Sequence, residues 1–521
     1  MPEGMLAPEQ ERDDKFQTLL NNATAARVIS QTVEGTLGPK GLDIMMVDRL
    51  GDVVVSNDGV TILNLMEVTH PAARMIINAA RAQQTEVGDG TTTTTIIAGA
   101  LIAEGTAQVL KGVPVARIIE GIELGIKKCL EIITTCSHPV ATLDDHLLYQ
   151  IAVIAGRGNP ELAELVRQGA KMMGRERLAA DDYRLADAVI AREMAPSSVF
   201  NGVVINKEPV NREMPLKIEN PIILVMDDSL APEDLDHDAM RTEAGFQYYL
   251  QARELYESNL KKAISLGVNL VVVDRSVDDL AEDVFTQAGV MVLQRVSSRE
   301  IERLCKHTGA RKLKRNALNR DADYLSQYLG GAARVSVDEK LKHTVILEGR
   351  GETWATVLIG AATTEVVDER ERMARDAASA IQAAFTGGVV PGGGALEVHL
   401  ASQMEEVARQ VGGMASYGVL CVKEALLRPF NCMAANAGFN PLEKLGDVIA
   451  AQSRQKVERI SFDCDDGNLI DVIDRGIVDP APVKSCAIKT AGEVAVAILR
   501  INTIIRMKNT ALNHDNPDIF E

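Results

Sequence analysis

Gly88-Asp89-Gly90 runs directly into five threonines, Thr91 to Thr95, and then into an apolar stretch from Ile96 to Leu110. The glycines let backbone N–H groups converge, the hydroxyls add donors, and the positive end of a helix dipole favours phosphate oxygens. Asp89 would repel bare phosphate unless a hard cation such as Mg²⁺ stood between them, so the stretch reads as a grip for a metal–nucleotide. A tight turn followed by an ordinary capped helix fits the same letters. Against that alternative, five consecutive β-branched residues are a costly helix start if stability is the only demand. No Gly-Lys-Ser/Thr follows the glycines, which excludes a Walker A loop.

Other stretches have a similar character. Thr36-Leu37-Gly38-Pro39-Lys40-Gly41 is a glycine-rich, basic loop, and Asn57-Asp58-Gly59 reads locally as a β-turn. In Gly156-Arg157-Gly158-Asn159-Pro160, Asn159 and Pro160 suit the cap and first position of a helix through Met173, and Arg157 taken alone is a solvated loop charge. Val389-Val390-Pro391-Gly392-Gly393-Gly394 opens a helix with three glycines, which fits either close approach to a ligand or a hinge. Asp479-Pro480 precedes an expected helix from Val483 to Met507.

The elements that must position these residues are mostly helical. Phe16, Leu19, Leu20, Ala23, Ala26 and Val33 form a helical stripe, and Pro71 opens a helix to Thr85 that delivers the chain into the Gly-Asp-Gly turn. Ile96, Ala100, Ala103, Ala107 and Leu110 recur at helical spacing, so the threonines are expected to form the first turn of a buried helix. After Pro114 a further face carries Ile118, Ile122, Cys129 and Ile133. Ile44–Val47 and Val53–Val55 flank Gly51-Asp52 as a hairpin. The pattern breaks near Ser137-His138-Pro139, a candidate boundary, and is irregular over 177–215 apart from a strand at Val203–Ile205. From Pro221 to Gly309 short apolar runs alternate with helical segments, as in a compact α/β domain. Leu230 to Asn259 is a polar excursion around Phe246, Tyr248, Tyr249 and Leu250, either a satellite core or a contact surface. A helical pattern returns over Asp368–Phe385, and residues 395–521 share the texture of the first 140, as though the two ends complete one domain.

Composition narrows the class. A chain of 521 residues is too long for one core, and 46% hydrophobic with 25% charged residues fits a globular multidomain protein. A formal net charge of −18 speaks against a nucleic-acid partner, and no apolar run in the sequence stands out as a membrane span. Met1 to Lys15 is acidic and polar rather than a signal peptide, so the cytoplasm is the expected compartment. Seven cysteines with no Cys-x-x-Cys point to reduced thiols. Aromatic residues are only 3%, so the cores must be built from small and aliphatic side chains.

Taken together and in order, Thr36–Gly41, Asn57–Gly59, Gly88–Thr92, Val390–Gly394 and Val478-Asp479-Pro480 resemble the signature motifs of the chaperonins. Val47-Asp48-Arg49-Leu50-Gly51-Asp52 and His70-Pro71-Ala72-Ala73 are similar to the archaeal-type branch, which comprises the thermosome, its eukaryotic cytosolic relatives and the group III chaperonins of some bacteria. The resemblance implies a multidomain α and α/β fold. Its parts would be a helical equatorial ATPase domain (1–140 and 395–521), a discontinuous intermediate domain (141–210 and 357–394) and an inserted α/β apical domain (211–356). A helical protrusion at about 228–258 would be its built-in lid.

The resemblance further implies ATP and Mg²⁺ as cofactors, with Asp89 holding the metal. Leu37, Gly38, Pro39, Gly90, Thr91, Thr92 and Thr93 would line the phosphates, Gly392, Gly393 and Asp479 the nucleoside, and Asp58 and Asp376 would orient the attacking water. Arg157 takes the place of a lysine usual in a Thr-Gly-Lys-Gly loop, keeping the charge while changing its reach. Gly360-Ala361-Ala362-Thr363 stands where Arg-Gly-Gly-Thr is common. The implied assembly is a homo-oligomer of two stacked rings of eight subunits, acting on non-native polypeptides without a separate cap. Two other readings compete: a small-molecule kinase that uses the glycine loops for ATP, and a chaperonin-like scaffold without turnover.

Overall fold

The computed structural model describes residues 8–49, 51–232 and 243–505. The first seven residues, ten residues of the expected lid (233–242) and the stretch beyond 505 lie outside the described residues. The chain divides into two compact units, Met1–Pro139 with Gly387–Glu521, and Val140–Thr386.

In the first unit, helices from both chain ends share one hydrophobic core that includes Ile29, Ile76, Ile97, Ile118, Leu400, Phe430 and Ile488. The helix Thr91–Leu110 packs against Pro8–Glu34, Pro71–Val87, Ala415–Asn436 and Ala481–Leu499. By length and composition alone this helix would suffice to cross a membrane, yet 61% of its most apolar window is buried inside the protein. The helix is buried as expected, though the residues recurring at that spacing are not the ones most deeply covered. Ile97, Leu101, Ile102, Gly105 and Val109 face the core with Ile96, whereas Ala100, Ala103 and Ala107 are half-buried and Leu110 is exposed. In so alanine-rich a helix every face looks apolar, and the packing partners decide which is covered.

Small residues permit very close helix packing. A Cβ on Gly121, in Val115–Cys136, would lie 1.9 Å from the Ala415 carbonyl oxygen and 2.7 Å from the Gly418 Cα, so the two backbones touch there. Within the C-terminal segment Val389–Pro391 pairs antiparallel with Val478–Pro480, which sets Val390 opposite Asp479, and His138 of the N-terminal segment bridges Val389. Ile44–Val47 and Val53–Ser56 form the expected hairpin. The last described helix, Ala481–Leu499, is shorter than expected, and Arg500 at its end hydrogen-bonds the Glu123 carboxylate.

The second unit is built on a 10-stranded sheet, more extensive than the α/β segment expected from the sequence. Its order is Val189–Glu193, Ala355–Ala361, Ser198–Ile205, His343–Gly349, Gly330–Asp338, Ile222–Met226, Leu270–Val273 and Met291–Leu293, with two short strands, Lys217–Glu219 and Lys312–Leu313, off that path. The last three strands of the path are parallel and almost wholly buried, as their continuous apolar runs predict. Glu243–Ser265 is helical, with Phe246, Tyr248 and Leu250 exposed and Tyr256 buried. Asn159 caps Pro160–Leu178 through the Leu162 N–H, and Gly174 at φ 75° breaks that helix near its end. All seven cysteines are free thiols.

Gly121→Ala is expected to destabilise the first unit by about 3 kcal/mol or more, because a methyl group must displace backbone rather than a flexible side chain. Gly112→Ala, where nothing lies within 4 Å but φ is +99°, should cost only the smaller strain of a left-handed backbone. Chemical denaturation of the two variants separates overpacking from strain; equal midpoints would contradict the close helix contact.

Candidate functional site

The Gly-Asp-Gly turn is formed by backbone conformations that side chains disfavour. Gly88, at φ 73°, ends Pro71–Val87, and Gly90, at φ 80°, starts Thr91–Leu110 with no side chain to cap it. The first intrahelical bond runs from Thr94 N to Gly90 O, so the N–H groups of the first turn have no acceptor within the helix. The Thr94 and Thr95 hydroxyls fold back onto the Gly90 and Thr91 carbonyls, while Thr92 and Thr93 remain half-exposed. An uncapped helix start that presents hydroxyls and N–H groups is a seat for an anion.

Asp58 and Gly59 meet this helix start. Asn57–Gly59 is not the β-turn expected locally: Asp58 caps a short helix, Gly59–Leu65, with its Oδ2 accepting from Thr61 N (2.9 Å) and Thr61 Oγ1 (2.6 Å). A Cβ on Gly59 would lie 2.5 Å from Thr92 Oγ1, so only glycine lets the two helix starts converge. Asp58, Asp89 and Asp479 are near enough for the charges of Asp479 and Asp58 to act on Asp89. Burial first, and those two charges after it, push the Asp89 carboxyl up to about 6, although the Gly90 N–H and the Lys484 ammonium oppose the shift. A divalent cation would relieve this concentration of negative charge, and hard carboxylate oxygens are the donors that Mg²⁺ prefers. The Asp89 carboxylate therefore fits the metal implied by the resemblance, but among the described residues no three metal-ligating side chains converge, so phosphate and water oxygens would have to complete its shell.

The remaining expected residues of the first unit fall on three further segments. Leu37, Gly38 and Pro39 lie on a loop pinned by Asn436, whose side-chain amide donates to Glu34 O and Leu37 O, both at 2.9 Å. Gly392 and Gly393 precede the helix Ala395–Val411, with Ser461 Oγ bonding Gly393 O at 2.7 Å. Asp479 sits on the paired strand, its Oδ2 beside Gly392.

Arg157 and Asp376 belong to the second unit. Arg157 is not a solvated charge: it holds the Glu369 carboxylate, which also pairs with Arg372, and its own backbone is left-handed at φ 54°. Asp376 is half-buried on the same helix as Glu369, Thr364–Gly387.

Sequence reasoning missed several supporting residues. Gln83 is fully buried and its amide donates to Asp89 O (2.8 Å) and Val483 O (3.2 Å), tying the turn to the helix after Asp479. Lys484 bridges Glu397 and Asp479. The available signals were a glutamate three residues after Gly394 and a lone lysine in the otherwise uncharged start of an apolar helix, and neither signal names a partner.

Comparison with known proteins bears on what this arrangement does. The model of the TCP-1/cpn60 chaperonin family matches residues 29–509. A thermosome subunit of Pyrococcus horikoshii is 34% identical over 503 residues, 93% of this chain and 90% of the relative. The thermosome subunit beta of Archaeoglobus fulgidus is 35% identical over 507 residues, covering 94% and 91%. Among solved structures, the crystal structure of a group III chaperonin in the open state superposes with a TM-score of 0.87 at 45% identity, covering 95% of this chain and 100% of that one.

The raised Asp89 carboxyl predicts a stability effect of definite sign. The folded state holds the proton more tightly than the unfolded chain, so ionising Asp89 lowers stability as pH rises from about 4 through 6. Asp89→Asn should therefore stabilise the ligand-free protein at neutral pH, by about 3 kcal/mol at most, with the gain vanishing below about pH 4. The same variant should lose any rise in melting temperature that Mg²⁺ and ADP produce. Melting curves from pH 4 to 8, with and without Mg-ADP, check both halves, and a less stable variant at pH 7 would refute the electrostatic account.

Proposed function

The chain belongs to the TCP-1/cpn60 chaperonin family, and from that premise we propose that it is the subunit of an ATP-driven chamber that encloses non-native polypeptides. The observation that carries the ATPase reading is the uncapped start of Thr91–Leu110, with Asp89 in front of it and Asp58 and Asp479 close by. Asp89 holds Mg²⁺, which when bound supplies positive charge to the phosphate oxygens. The N–H groups and hydroxyls of Gly90, Thr91, Thr92 and Thr93 receive the phosphates together with Leu37, Gly38 and Pro39. Gly392, Gly393 and Asp479 hold the nucleoside. Asp58 and Asp376 orient the attacking water, and Arg157 responds to the terminal phosphate. Phosphoryl transfer demands position and charge compensation from a protein more than a covalent nucleophile, and these residue types supply both.

In this reading residues 1–140 and 395–521 are the equatorial domain, 141–210 and 357–394 the intermediate domain, and 211–356 the apical domain with a lid at about 228–258. Two stacked rings of eight copies form the chamber in the cytoplasm, with no separate cap. The kinase alternative has no family match or relative in its favour, and Asp58, Asp89 and Asp376 argue against an inert scaffold.

Asp376→Ala is expected to reduce ATP turnover at least a hundredfold while leaving nucleotide affinity within about threefold, because Asp376 lies outside the unit that grips the phosphates. Turnover and affinity measured on one preparation, with negative-stain images to count subunits, test the reading. Undiminished turnover removes Asp376 from the mechanism, and a small oligomer without rings refutes the chamber.

The exposed side chains of Phe246, Tyr248 and Leu250 should become protected when the chamber closes. Limited proteolysis with ATP and a trapped γ-phosphate mimic, mapped by mass spectrometry, is expected to show loss of cleavage over 243–259. Cleavage unchanged by nucleotide during active turnover would mean that an external cap must close the ring.

A further inference from the structure

Lys484 stands at the fourth position of Ala481–Leu499, where the positive end of the helix dipole disfavours an ammonium group. Its side chain is only 13% exposed, so little water compensates the charge. Two carboxylates do so instead, Glu397 Oε1 at 2.6 Å and Asp479 Oδ2 at 2.9 Å. The Glu397 side chain is 3% exposed, and its second oxygen, Oε2, is buried with no hydrogen-bond partner. A buried carboxylate with one oxygen unsatisfied is a poor device for stability, since an apolar pair of similar volume would serve at least as well. The arrangement makes sense if its purpose is to fix a third group.

That group is Asp479. Its side chain keeps a quarter of its surface open, and Lys484 occupies the oxygen on the side of Gly392. A carboxylate anchored through one oxygen keeps one rotamer and presents the other oxygen in a fixed direction. The anchor is tied to the glycine turn as well, because Glu397 lies in the first turn of the helix that Gly392–Gly394 open. Lys484 thus links the two segments read above as the nucleoside seat.

We propose that Lys484, held by Glu397, is a positioning residue that orients Asp479 to accept a hydrogen bond from the nucleoside of the bound nucleotide. The inference rests on the nucleotide reading of the site, and extends it to two residues which that reading does not use. Lys484 touches no ligand in this account and acts through Asp479 alone.

A double-mutant cycle on the assembled protein tests the inference, with Mg-ADP affinity read by calorimetry. Lys484→Met should weaken Mg-ADP roughly ten- to a hundredfold in the native background and by less than about twofold when Asp479 is already Asn. In ATP turnover the loss should fall on KM more than on kcat. Lys484→Arg, which retains the charge and a donor, should recover part of the affinity. Because Lys484→Met leaves Glu397 buried and unpaired, the companion Glu397→Gln/Lys484→Met removes both charges together and carries the measurement if the single variant fails to fold. Equal losses in the two Asp479 backgrounds, or no loss in the native one, would overturn the positioning role while leaving the nucleotide site standing. Wild-type protein that binds no Mg-ADP would overturn the reading of the site, and this inference with it.

Discussion

Asp89 lies between two left-handed glycines, with its carbonyl oxygen held by Gln83 and its carboxyl pushed up to about 6 by burial and by neighbouring carboxylates. At neutral pH the turn therefore carries a charge that its surroundings disfavour. The uncapped N–H groups of the helix that follows create the opposite demand, for negative charge arriving from outside. A metal–nucleotide would answer both at once, the cation meeting the carboxylates and the phosphates meeting the helix. In the proposed reading a bound ligand, rather than the folded protein alone, would complete the local electrostatics, as a site that binds and releases requires.

Holding such a turn in place requires rigidity elsewhere, and the first unit obtains it from non-local packing. Gln83 connects the turn to Val483, on a helix nearly 400 residues away in sequence, and the helices of the two chain ends touch backbone to backbone at Gly121 and Gly418. Small side chains allow the approach that a core nearly without aromatics needs, because dispersion contacts must replace the area that large rings would bury. The second unit follows a different rule. Its mixed sheet fixes strand order by backbone hydrogen bonding, and charges of its helices and turns remain nearer the surface, as with Arg157 of a turn and Glu369 and Arg372 of a helix.

Local patterns were sufficient where one stretch of chain contains its own reason for folding. The hairpin Ile44–Val47/Val53–Ser56, the Asn159-Pro160 helix start and the three buried parallel strands all follow from spacing, turn residues and apolar runs. The uncapped, hydroxyl-rich helix start at Gly88–Thr95 was legible for the same reason, since glycines, hydroxyls and a helix start are all local. Spacing failed where several faces are equally apolar, as in Thr91–Leu110, and where a turn sequence meets a helix, as at Asp58.

By itself the sequence determined the residue types of the site, their order along the chain, the sharing of one domain between the two ends, and the family resemblance those motifs carry. Only the tertiary structure decided which charges meet. Asp89 with Asp58 and Asp479, Lys484 with Glu397, and Arg157 with Glu369 are pairings between residues far apart in sequence. A carboxylate's proton affinity depends on the dielectric and the charges within a few ångströms of it, and no one-dimensional pattern contains those distances.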